Sequence, residues 1–313
     1  MHYYADEWTT LYHCDVGTGI PLASDSVQCV VTSPPYWGLR DYGATDQVGL
    51  ESSPKGYVAK LVSVFRDVRR VLRPDGTLWL NLGDTYAREG GKKQGEPRHW
   101  DGRKKNTDGL HDKRALASEI GLKPKDLVGI PWRVAFALRA DGWYLRSDII
   151  WNKTNPMPES VTDRPTKSHE YLFLLTKSPR YFYDAEAIEE PASWERWGDQ
   201  TEKKAHTGKA AHLGGKTINE LPIRDKKNKR SVWTITTQPY SEAHFATFPE
   251  KLVEPCILAG SREGDVVLDP FVGSGTTLRV AKNGNRIGVG MDINEEYLDM
   301  AKARIGTNQP MLI

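Results

Sequence analysis

One stretch of the chain holds residue types that a simple turn does not need: 31-VTSPPYWGLRDYG-43. A hydroxyl, two prolines and two large aromatic rings follow an apolar run directly. Prolines fix φ and lack a backbone donor, so Pro34 and Pro35 make the segment stiff. A turn needs at most one proline and a glycine. The composition indicates a site, while the alternative is a rigid proline turn with Tyr36 and Trp37 in the core.

A second stretch, 265-DVVLDPFVGSGTTLRVAKNGNRIGVGMDIN-294, has the pattern of a strand, a Gly-rich turn, a helix, a strand and an acid. Gly273 and Gly275 permit a tight turn and close approach of a ligand to the backbone. Asp292 ends the second strand, where a carboxylate can accept hydrogen bonds from ribose hydroxyls. The pattern therefore indicates a nucleotide-like ligand.

Asp269 narrows the choice of ligand, because an acid directly before the glycines would repel a phosphate. The turn also lacks the glycine and lysine spacings of dinucleotide and triphosphate sites. A ligand with a cationic end, such as the ammonium of an amino acid, suits this turn. A nucleoside joined to an amino acid describes S-adenosylmethionine. On spacing alone, a nicotinamide cofactor and a purely structural turn stay open. Thr276 and Thr277 are expected to cap the helix that follows.

Short apolar runs predict the strands that must position both stretches. They are residues 9–14, 27–33, 77–83, 143–151, 170–177, 265–270 and 286–292. Most are continuously apolar, which suits a sheet covered on both faces. Helical patterns lie between them, at residues 56–72, 126–142, 276–284 and 294–305. We expect Pro131 near a helix start and a turn at 73-RPDG-76. The alternation predicts an α/β protein with a doubly wound, mostly parallel sheet.

The net charge of +2 over 313 residues hides a segregation of charge. Residues 88–125 hold eleven Lys/Arg against six Asp/Glu, and residues 195–230 hold ten against five. These positions fall in two long segments, 85–125 and 178–240, that interrupt the strand and helix alternation. Long loops of this kind are often functional, and clustered positive charge suits a polyanion. Two solvated loops are the alternative.

Other features of the composition exclude several classes of protein. No apolar run approaches the length of a membrane span, and no signal-peptide pattern is present, so a cytoplasmic protein is expected. Cys14, Cys29 and Cys256 lie far apart, without metal spacing or a disulfide framework. The histidines show no ligand spacing with acids or cysteines, so we predict no metal.

The two stretches together, 32-TSPPY-36 and 269-DPFVGSGTT-277, resemble the amino-group DNA methyltransferases, which methylate exocyclic nitrogens of cytosine or adenine. Further similarity lies in 73-RPDGTLWLNLGD-84, 150-IWNKTNPMPES-160 and 168-SHEYLFLLTKS-178. The resemblance implies a Rossmann-like, S-adenosylmethionine-dependent methyltransferase fold, with a mostly parallel seven-stranded sheet and helices on both faces. The two basic insertions fall outside it.

The order of the motifs resembles the circularly permuted β-class of these enzymes, because the catalytic run precedes the cofactor run. This order implies a catalytic half at 1–177 with the basic insertion 85–125, a target-recognition region at 178–240 and a cofactor-binding half at 241–313. Relatives in this class are often homodimers. They act on double-stranded DNA, in restriction-modification beside a separate restriction endonuclease or in other phage or host DNA modification.

The resemblance also implies which residues bind the cofactor. The segment 244-HFATFPEKLVEPCI-257 resembles the one that cups the methionine end of S-adenosylmethionine, and Asp15 would lie near the adenine. A lone Asp after a strand is more often a turn former, so that alternative stays open. The expected cofactor-binding residues are Asp15, Thr247, Phe248, Pro249, Asp269, Pro270, Phe271, Gly273, Ser274, Gly275, Thr276, Thr277 and Asp292.

In this resemblance the first stretch does the chemistry. An exocyclic amine is a poor nucleophile because its lone pair is delocalised into the ring. Acceptors aimed at its two N–H bonds turn the lone pair toward the methyl group and stabilise the developing positive charge. These acceptors would be the Ser33 side chain and the Pro34 carbonyl, which Pro34 and Pro35 hold stiffly. Tyr36 would supply a face for the flipped base.

Ser33 also bears on the choice of base. In this family Ser-Pro-Pro-Tyr accompanies mostly cytosine-N4 methylation, whereas Asp or Asn in the first position accompanies mostly adenine-N6 methylation. We therefore expect cytosine, with adenine as the alternative. A methyltransferase acting on RNA or a glutamine side chain, and a DNA-binding protein that keeps the fold without catalysis, are the rivals.

Aromatic and basic residues supply the expected DNA contacts. Trp151 could stack on a base or be a core aromatic, and the basic residues could contact phosphates or stay solvated. The expected DNA-binding residues are Trp37, Arg40, Lys92, Lys93, Arg103, Lys104, Lys105, Trp151, Lys153, Lys226, Lys227 and Arg230. Trp194 and Trp197, three residues apart, could form one face of a buried helix rather than contact DNA.

Overall fold

A computed structural model describes residues 2–38, 47–87, 117, 120–192, 226–238 and 248–306. Its strands are β1 Tyr4–Ala5, β2 Thr9–His13, β3 Val27–Thr32, β4 Leu72–Leu82, β5 Tyr144–Asn152, β6 His169–Thr176, β7 Glu190–Pro191, β8 Lys226–Lys227, β9 Val232–Thr234, β10 Val266–Asp269 and β11 Ile287–Asp292. Its helices are α1 Pro54–Val71, α2 Ile130–Ala140, α3 Glu250–Gly260, α4 Thr276–Asn283 and α5 Glu295–Gly306. Within these ranges, no helix is long and apolar enough to cross a membrane.

The main sheet has the strand order β1-β2-β11-β10-β3-β4-β6-β5-β9. Its central pairings, from β2 to β4, are parallel, whereas β6 runs antiparallel to both β4 and β5. All seven expected strands are present, and the mixed, mostly parallel sheet confirms the expected fold. Two short strands, β1 and β9, extend the sheet beyond these seven strands, one at each edge. The remaining pair, β7 and β8, forms a separate ribbon.

The helices cover both faces of the sheet because successive strand residues point to opposite sides. In β3, Val30 belongs to the core cluster shared with α1 and α2. Its neighbours Cys29 and Val31 belong to the cluster shared with α3. α5 packs with α4 in a third cluster, which includes Leu11 of β2. The continuously apolar strands are therefore buried on both sides, as expected from their composition.

Residues 73-RPDG-76 do not form the expected turn. β4 begins at Leu72, directly after α1, and runs through them. The pairing jumps from Val27 opposite Leu72 to Cys29 opposite Thr77, so β4 carries extra residues at this point. Such a bulge uses the same proline and glycine that favour a turn. The turn residues thus lie within the strand, at a break in its pairing register.

α3 was not among the helices expected from periodicity. Pro255 lies within it, and a proline inside a helix removes a hydrogen bond and argues against a helical assignment. Leu252, Val253, Cys256 and Ile257 of α3 are buried against the sheet. This burial outweighs the local effect of the proline.

Part of the expected recognition region belongs to the main domain. β9 pairs in parallel with β5, Trp233 packs near Trp79 with ring centroids 6.4 Å apart, and Tyr183 stacks on Trp79 at the same distance. The expected boundary at residue 178 therefore does not separate 178–192 and 226–238 from the sheet. Residues 193–225, with Trp194 and Trp197, lie outside the described residues, as does most of the insertion 85–125.

The docking of α3 gives a stability prediction. A Cβ added at Gly260 would lie 2.6 Å from Thr77 Oγ1 and 2.8 Å from Cys29 Sγ, so no side chain fits between α3 and the sheet. We expect Gly260→Ala to lower the free energy of unfolding by about 1–3 kcal/mol, measured by urea denaturation. Gly306→Ala is the matched control, because nothing lies within 4 Å of its Cβ position. Equal stability of the two variants would contradict this packing.

Candidate active site

A cleft of about 1050 Å³ opens at the carboxyl ends of the parallel strands. Parallel strands bring their carboxyl ends to one edge of a sheet, where ligands of α/β proteins bind. Because β3 lies beside β10, the Ser-Pro-Pro-Tyr run and the Gly-rich turn meet there, although they are far apart in the chain. The cleft thus joins the two stretches that the sequence singled out.

The cofactor side of the cleft is formed by the turn after β10 and the end of β11. Asp292 Oδ2 accepts a hydrogen bond from the Gly273 backbone N–H at 3.0 Å, and Oδ1 accepts from Asn294 at 2.9 Å. Burial raises the pKa of Asp292 from 3.8 to about 6. The lining residues of this side that were expected to bind cofactor are Asp15, Phe248, Pro270, Phe271, Gly273, Ser274, Thr276 and Asp292.

Asp269 lies behind the wall of the cleft, although we expected it to meet a cationic ligand. Its side chain is 1% exposed and is absent from the cleft lining. Oδ1 accepts from Thr32 Oγ1 at 2.7 Å, and Oδ2 accepts from Thr277 Oγ1 at 2.7 Å. Burial raises the pKa of Asp269 from 3.8 to about 6. The carboxylate therefore joins β3, β10 and α4 and shapes the turn from behind.

The two threonines of the turn do not cap α4. The residue that caps it is Gly275, in the left-handed region at φ 80°, and no side chain bonds to the first turn. Thr276 Oγ1 instead accepts from the Arg304 guanidinium at 2.8 Å. A Cβ at Gly275 would lie 2.9 Å from Ala301 Cβ of α5, so this glycine permits helix packing. Gly275 and Thr277, like Asp269, stand behind the cleft surface.

Asp15 lies on the cleft and also forms a local turn. Its Oδ1 accepts from the Gly17 backbone N–H at 2.8 Å and caps a short 3-10 turn. The turn-forming alternative is therefore confirmed, and contact of Asp15 with the adenine stays a prediction. Pro249 is buried at the start of α3 and does not line the cleft, while its neighbour Phe248 does. Thr247 lies outside the described residues.

The opposite side of the cleft carries the Ser-Pro-Pro-Tyr run. Ser33, Pro34, Pro35 and Tyr36 all line it. The Pro35 carbonyl accepts from the Tyr57 hydroxyl at 2.9 Å, which attaches the loop to α1. A Cβ at Gly83 would lie 2.5 Å from Tyr36 Cε2, so only glycine leaves room for the tyrosine ring.

The Tyr36 hydroxyl is held by two acceptors. It lies 2.6 Å from Glu170 Oε2 and 3.1 Å from Asn81 Oδ1. Burial and the Glu170 carboxylate raise the pKa of Tyr36 well above its ordinary value. The phenol therefore stays protonated and fixes the orientation of its ring.

The residues expected to contact DNA differ in their burial and in their position relative to the cleft. Trp37 is 3% exposed, and its indole N–H donates to the Glu51 carbonyl at 2.8 Å, so its assignment to DNA is wrong: it is a core residue. Trp151 is equally buried and donates to the Ile235 carbonyl at 2.9 Å, yet it lines the cleft. Lys153 lies inside the cleft, with its ammonium 4.4 Å from the Trp151 ring centroid.

The basic residues after the recognition region lie on the surface. Lys226 is exposed, whereas Lys227 and Arg230 pair with Glu190 across the small ribbon. Exposed ion pairs of this kind are weak and leave both cations able to meet a phosphate. Arg40, Lys92, Lys93, Arg103, Lys104 and Lys105 lie outside the described residues.

Several cleft residues were missed by sequence reasoning, among them Asn81, Asp84, Lys167 and Glu170. Burial lowers the pKa of Lys167, which also donates to the Asp84 carbonyl at 3.1 Å. A signal for Glu170 existed, because this acid stands at the start of an apolar strand. Because β6 runs antiparallel to β4, its first residues lie at the edge of the sheet where the cleft opens. Among the described residues, no group of His, Cys, Asp or Glu could hold a metal ion.

The residues present fit S-adenosylmethionine. The cleft is large enough for a nucleoside joined to an amino acid, and the Asp292 carboxylate can accept from ribose hydroxyls. Phe248 and Phe271 offer apolar surface, while Gly273, at φ 48°, brings the backbone to the cleft without a side chain. This fold and this cleft define an S-adenosylmethionine-dependent methyltransferase.

Comparison with known proteins gives the family. The profile of the N6/N4 DNA methylase family matches residues 27–303, so the chain belongs to this family of amino-group DNA methylases. It is 50% identical over 288 residues to the Type II methyltransferase M.SmaI of Serratia marcescens, which covers 91% of this chain and 86% of the relative. It is also 50% identical to M.Cfr9I of Citrobacter freundii, over 91% of this chain and 83% of that protein.

Solved structures share the fold. The cytosine-N4-specific PvuII DNA methyltransferase superposes with a TM-score of 0.63 at 18% identity, covering 98% of this chain and 89% of that one. A candidate DNA modification methylase of Thermus thermophilus, in complex with S-adenosyl-L-methionine, gives a TM-score of 0.53 at 23% identity, covering 91% and 87%.

The buried Asp269 predicts a pH effect on stability. Its pKa is about 6 in the folded protein, against 3.8 as its ordinary value, so the folded state binds the proton more tightly than the unfolded chain. Stability from this group therefore grows as the pH falls from about 7 to about 4. We expect wild type to gain several degrees in Tm relative to Asp269→Asn over this range, measured by differential scanning fluorimetry. A constant difference in Tm would contradict the shifted pKa.

Proposed function

We propose that this chain transfers the methyl group of S-adenosylmethionine to N4 of cytosine in double-stranded DNA. The observation that carries the proposal is the position of Ser33 at the end of β3, on the cleft and beside Tyr36. Family membership gives methylation of an exocyclic amine in DNA. The choice of cytosine over adenine is the more specific part of the proposal.

The chain's own residues prepare the amine. The Ser33 hydroxyl and the Pro34 carbonyl are proposed to accept from its two N–H bonds, which turns the nitrogen lone pair toward the methyl group and stabilises the charge that develops. The stiff proline pair holds both acceptors without loss of entropy on binding. Tyr36 and Trp151, both on the cleft, supply aromatic surface for a base that has left the duplex. The bound cofactor supplies an activated methyl group.

Ser33 is what favours cytosine over adenine. In this family a serine at this position accompanies mostly cytosine-N4 methylation, and the chain has the serine. The structurally similar PvuII enzyme is named for that specificity, although at 18% identity the likeness bears on the fold. Adenine-N6 methylation is the second candidate, because its exocyclic amine would meet the same acceptors.

The setting proposed for this activity is restriction-modification in a prokaryotic cytoplasm. M.SmaI and M.Cfr9I, half identical to this chain, are Type II methyltransferases. We propose that a separate endonuclease acts on the same DNA sequence. Residues 193–225 are the proposed target-recognition segment, with Lys226, Lys227 and Arg230 as phosphate contacts at its end.

Product identification tests the choice of base. Purified protein is incubated with S-adenosylmethionine labelled in the methyl group and unmethylated genomic DNA, and the digested nucleosides are analysed by mass spectrometry. We expect labelled N4-methylcytosine. Labelled N6-methyladenine would overturn the cytosine assignment and keep the rest. Cofactor binding without any labelled nucleoside would favour a DNA-binding protein without catalysis.

Replacement of the serine tests its role. Ser33→Ala removes one acceptor for the amine, and we expect a fall in kcat of about 10²-fold with an unchanged Kd for the cofactor, since the serine lies on the opposite side of the cleft. Kd is measured by calorimetry and kcat by methyl incorporation. The matched control is Ser26→Ala, just before the opposite end of β3, where the hydroxyl only donates to the Ala23 carbonyl. Wild-type kcat in Ser33→Ala would contradict the proposed role.

A further inference from the structure

Glu170 links Tyr36 and Lys153 on the side of the cleft that carries the Ser-Pro-Pro-Tyr run, which we call the target side. One carboxylate oxygen accepts from the Tyr36 hydroxyl at 2.6 Å, and the other accepts from the Lys153 ammonium at 2.5 Å. The side chains of Lys153 and Glu170 are only 19% and 14% exposed. All three residues line the cleft together with Ser33. The link is therefore built into the target side of the site.

Lys153 poses an electrostatic problem for the reaction. The acceptor nitrogen becomes positive as it gains a methyl group, and a bare ammonium in the same cleft would repel that charge. Repulsion is stronger in a partly buried site than in water because the local dielectric is lower. Yet Lys153 is held in place, by Glu170 and by the Trp151 ring, whose centroid lies 4.4 Å from the ammonium. A negative partner is needed to balance it.

Glu170 also sets the direction of the hydroxyl hydrogen bonds. The Tyr36 hydroxyl has one proton, and the Glu170 carboxylate can only accept it. The tyrosine oxygen is then an acceptor toward the Ser33 hydroxyl, which lies 3.5 Å away. With its own proton turned toward Tyr36, Ser33 presents lone pairs to the cleft. Such a serine suits an N–H donor and disfavours a carbonyl oxygen.

We propose that Glu170 is a positioning residue for methyl transfer: it neutralises Lys153 beside the reacting amine and orients the Tyr36 and Ser33 hydroxyls so that Ser33 accepts. Its effect falls on the charged transition state more than on cofactor binding, because β3 and β4 separate β6, which carries Glu170, from β10, which leads into the Gly-rich turn. This inference rests on methylation of an exocyclic amine and is independent of which base carries that amine.

The test compares wild type with Glu170→Gln, Lys153→Met and the double variant. Glu170→Gln keeps the shape but leaves the lysine charge unbalanced, so we expect single-turnover methyl transfer to slow by about 30-fold or more, within the range of such electrostatic effects. The Kd for the cofactor is expected to stay within about threefold of wild type. Lys153→Met leaves the carboxylate without an opposing charge, and its rate is the reference for the double variant.

The double variant separates charge balance from a merely structural role. Removing the lysine as well takes away the unbalanced cation, so we expect it to recover about tenfold of the rate lost in Glu170→Gln, because contacting residues couple. Total methyl incorporation into DNA is measured, so a wrong assignment of the base would not affect the result. Asp141→Asn is the matched control, a carboxylate in the exposed Arg66 pair away from the cleft.

Three outcomes would overturn the proposal. The first is a double variant as slow as Glu170→Gln, which would show that charge balance is irrelevant. The second is a Glu170→Gln protein with the wild-type rate. The third is a loss of rate that parallels a loss of cofactor affinity or of Tm, because that pattern is the one expected when the residue only maintains the fold.

Discussion

The buried Asp269 carboxylate is the interaction on which both sides of the cleft depend. It accepts hydrogen bonds from the hydroxyl of Thr32, at the end of β3, and from that of Thr277, in the first turn of α4. Thr32 directly precedes Ser33, so the carboxylate connects the last residue before the Ser-Pro-Pro-Tyr run to the Gly-rich turn. A buried carboxylate is tolerated when donors satisfy it, and here two hydroxyls and the Phe271 backbone N–H do so. The relative position of the Ser-Pro-Pro-Tyr run and the Gly-rich turn is set through this contact.

A second set of contacts arranges the target side of the cleft, and these contacts come from β6, which runs opposite to the parallel strands. β6 runs antiparallel to β4, so its first residues reach the edge where the parallel strands end. Glu170 thereby meets Tyr36 from one side, while Asn81 meets it from β4. Lys153, which was expected from the sequence to bind DNA, pairs with Glu170 in this set of contacts. The cleft therefore has charged groups that balance one another before any substrate enters.

Much of the fold could be predicted from the chain because the strands are continuously apolar and the helices amphipathic. The failures have local causes. Pro255 argued against α3, but burial on the sheet decided otherwise. Trp37 looked like a stacking residue beside Tyr36, but its ring turns into the core and bonds to Glu51. Asp269 looked like a ligand contact, and it serves the turn from behind. For Trp37 and Asp269, the direction of the side chain, which spacing does not encode, made the difference.

The sequence by itself indicated the class of the protein through a family resemblance, which two local patterns carry: the Ser-Pro-Pro-Tyr run and the Gly-rich turn. The stiffness of the first and the backbone freedom of the second arise from their own residues. It also determined the order of the seven main strands and of four of the five helices, since periodicity is local. Only the tertiary structure decided which side chains share the cleft. The pairing of β3 with β10 joins residues 238 positions apart, and that of β4 with β6 joins residues 89 to 99 positions apart. Such long-range pairings bring Glu170 to Tyr36 and take Trp37 away, because burial and hydrogen bonding are satisfied over the whole fold at once.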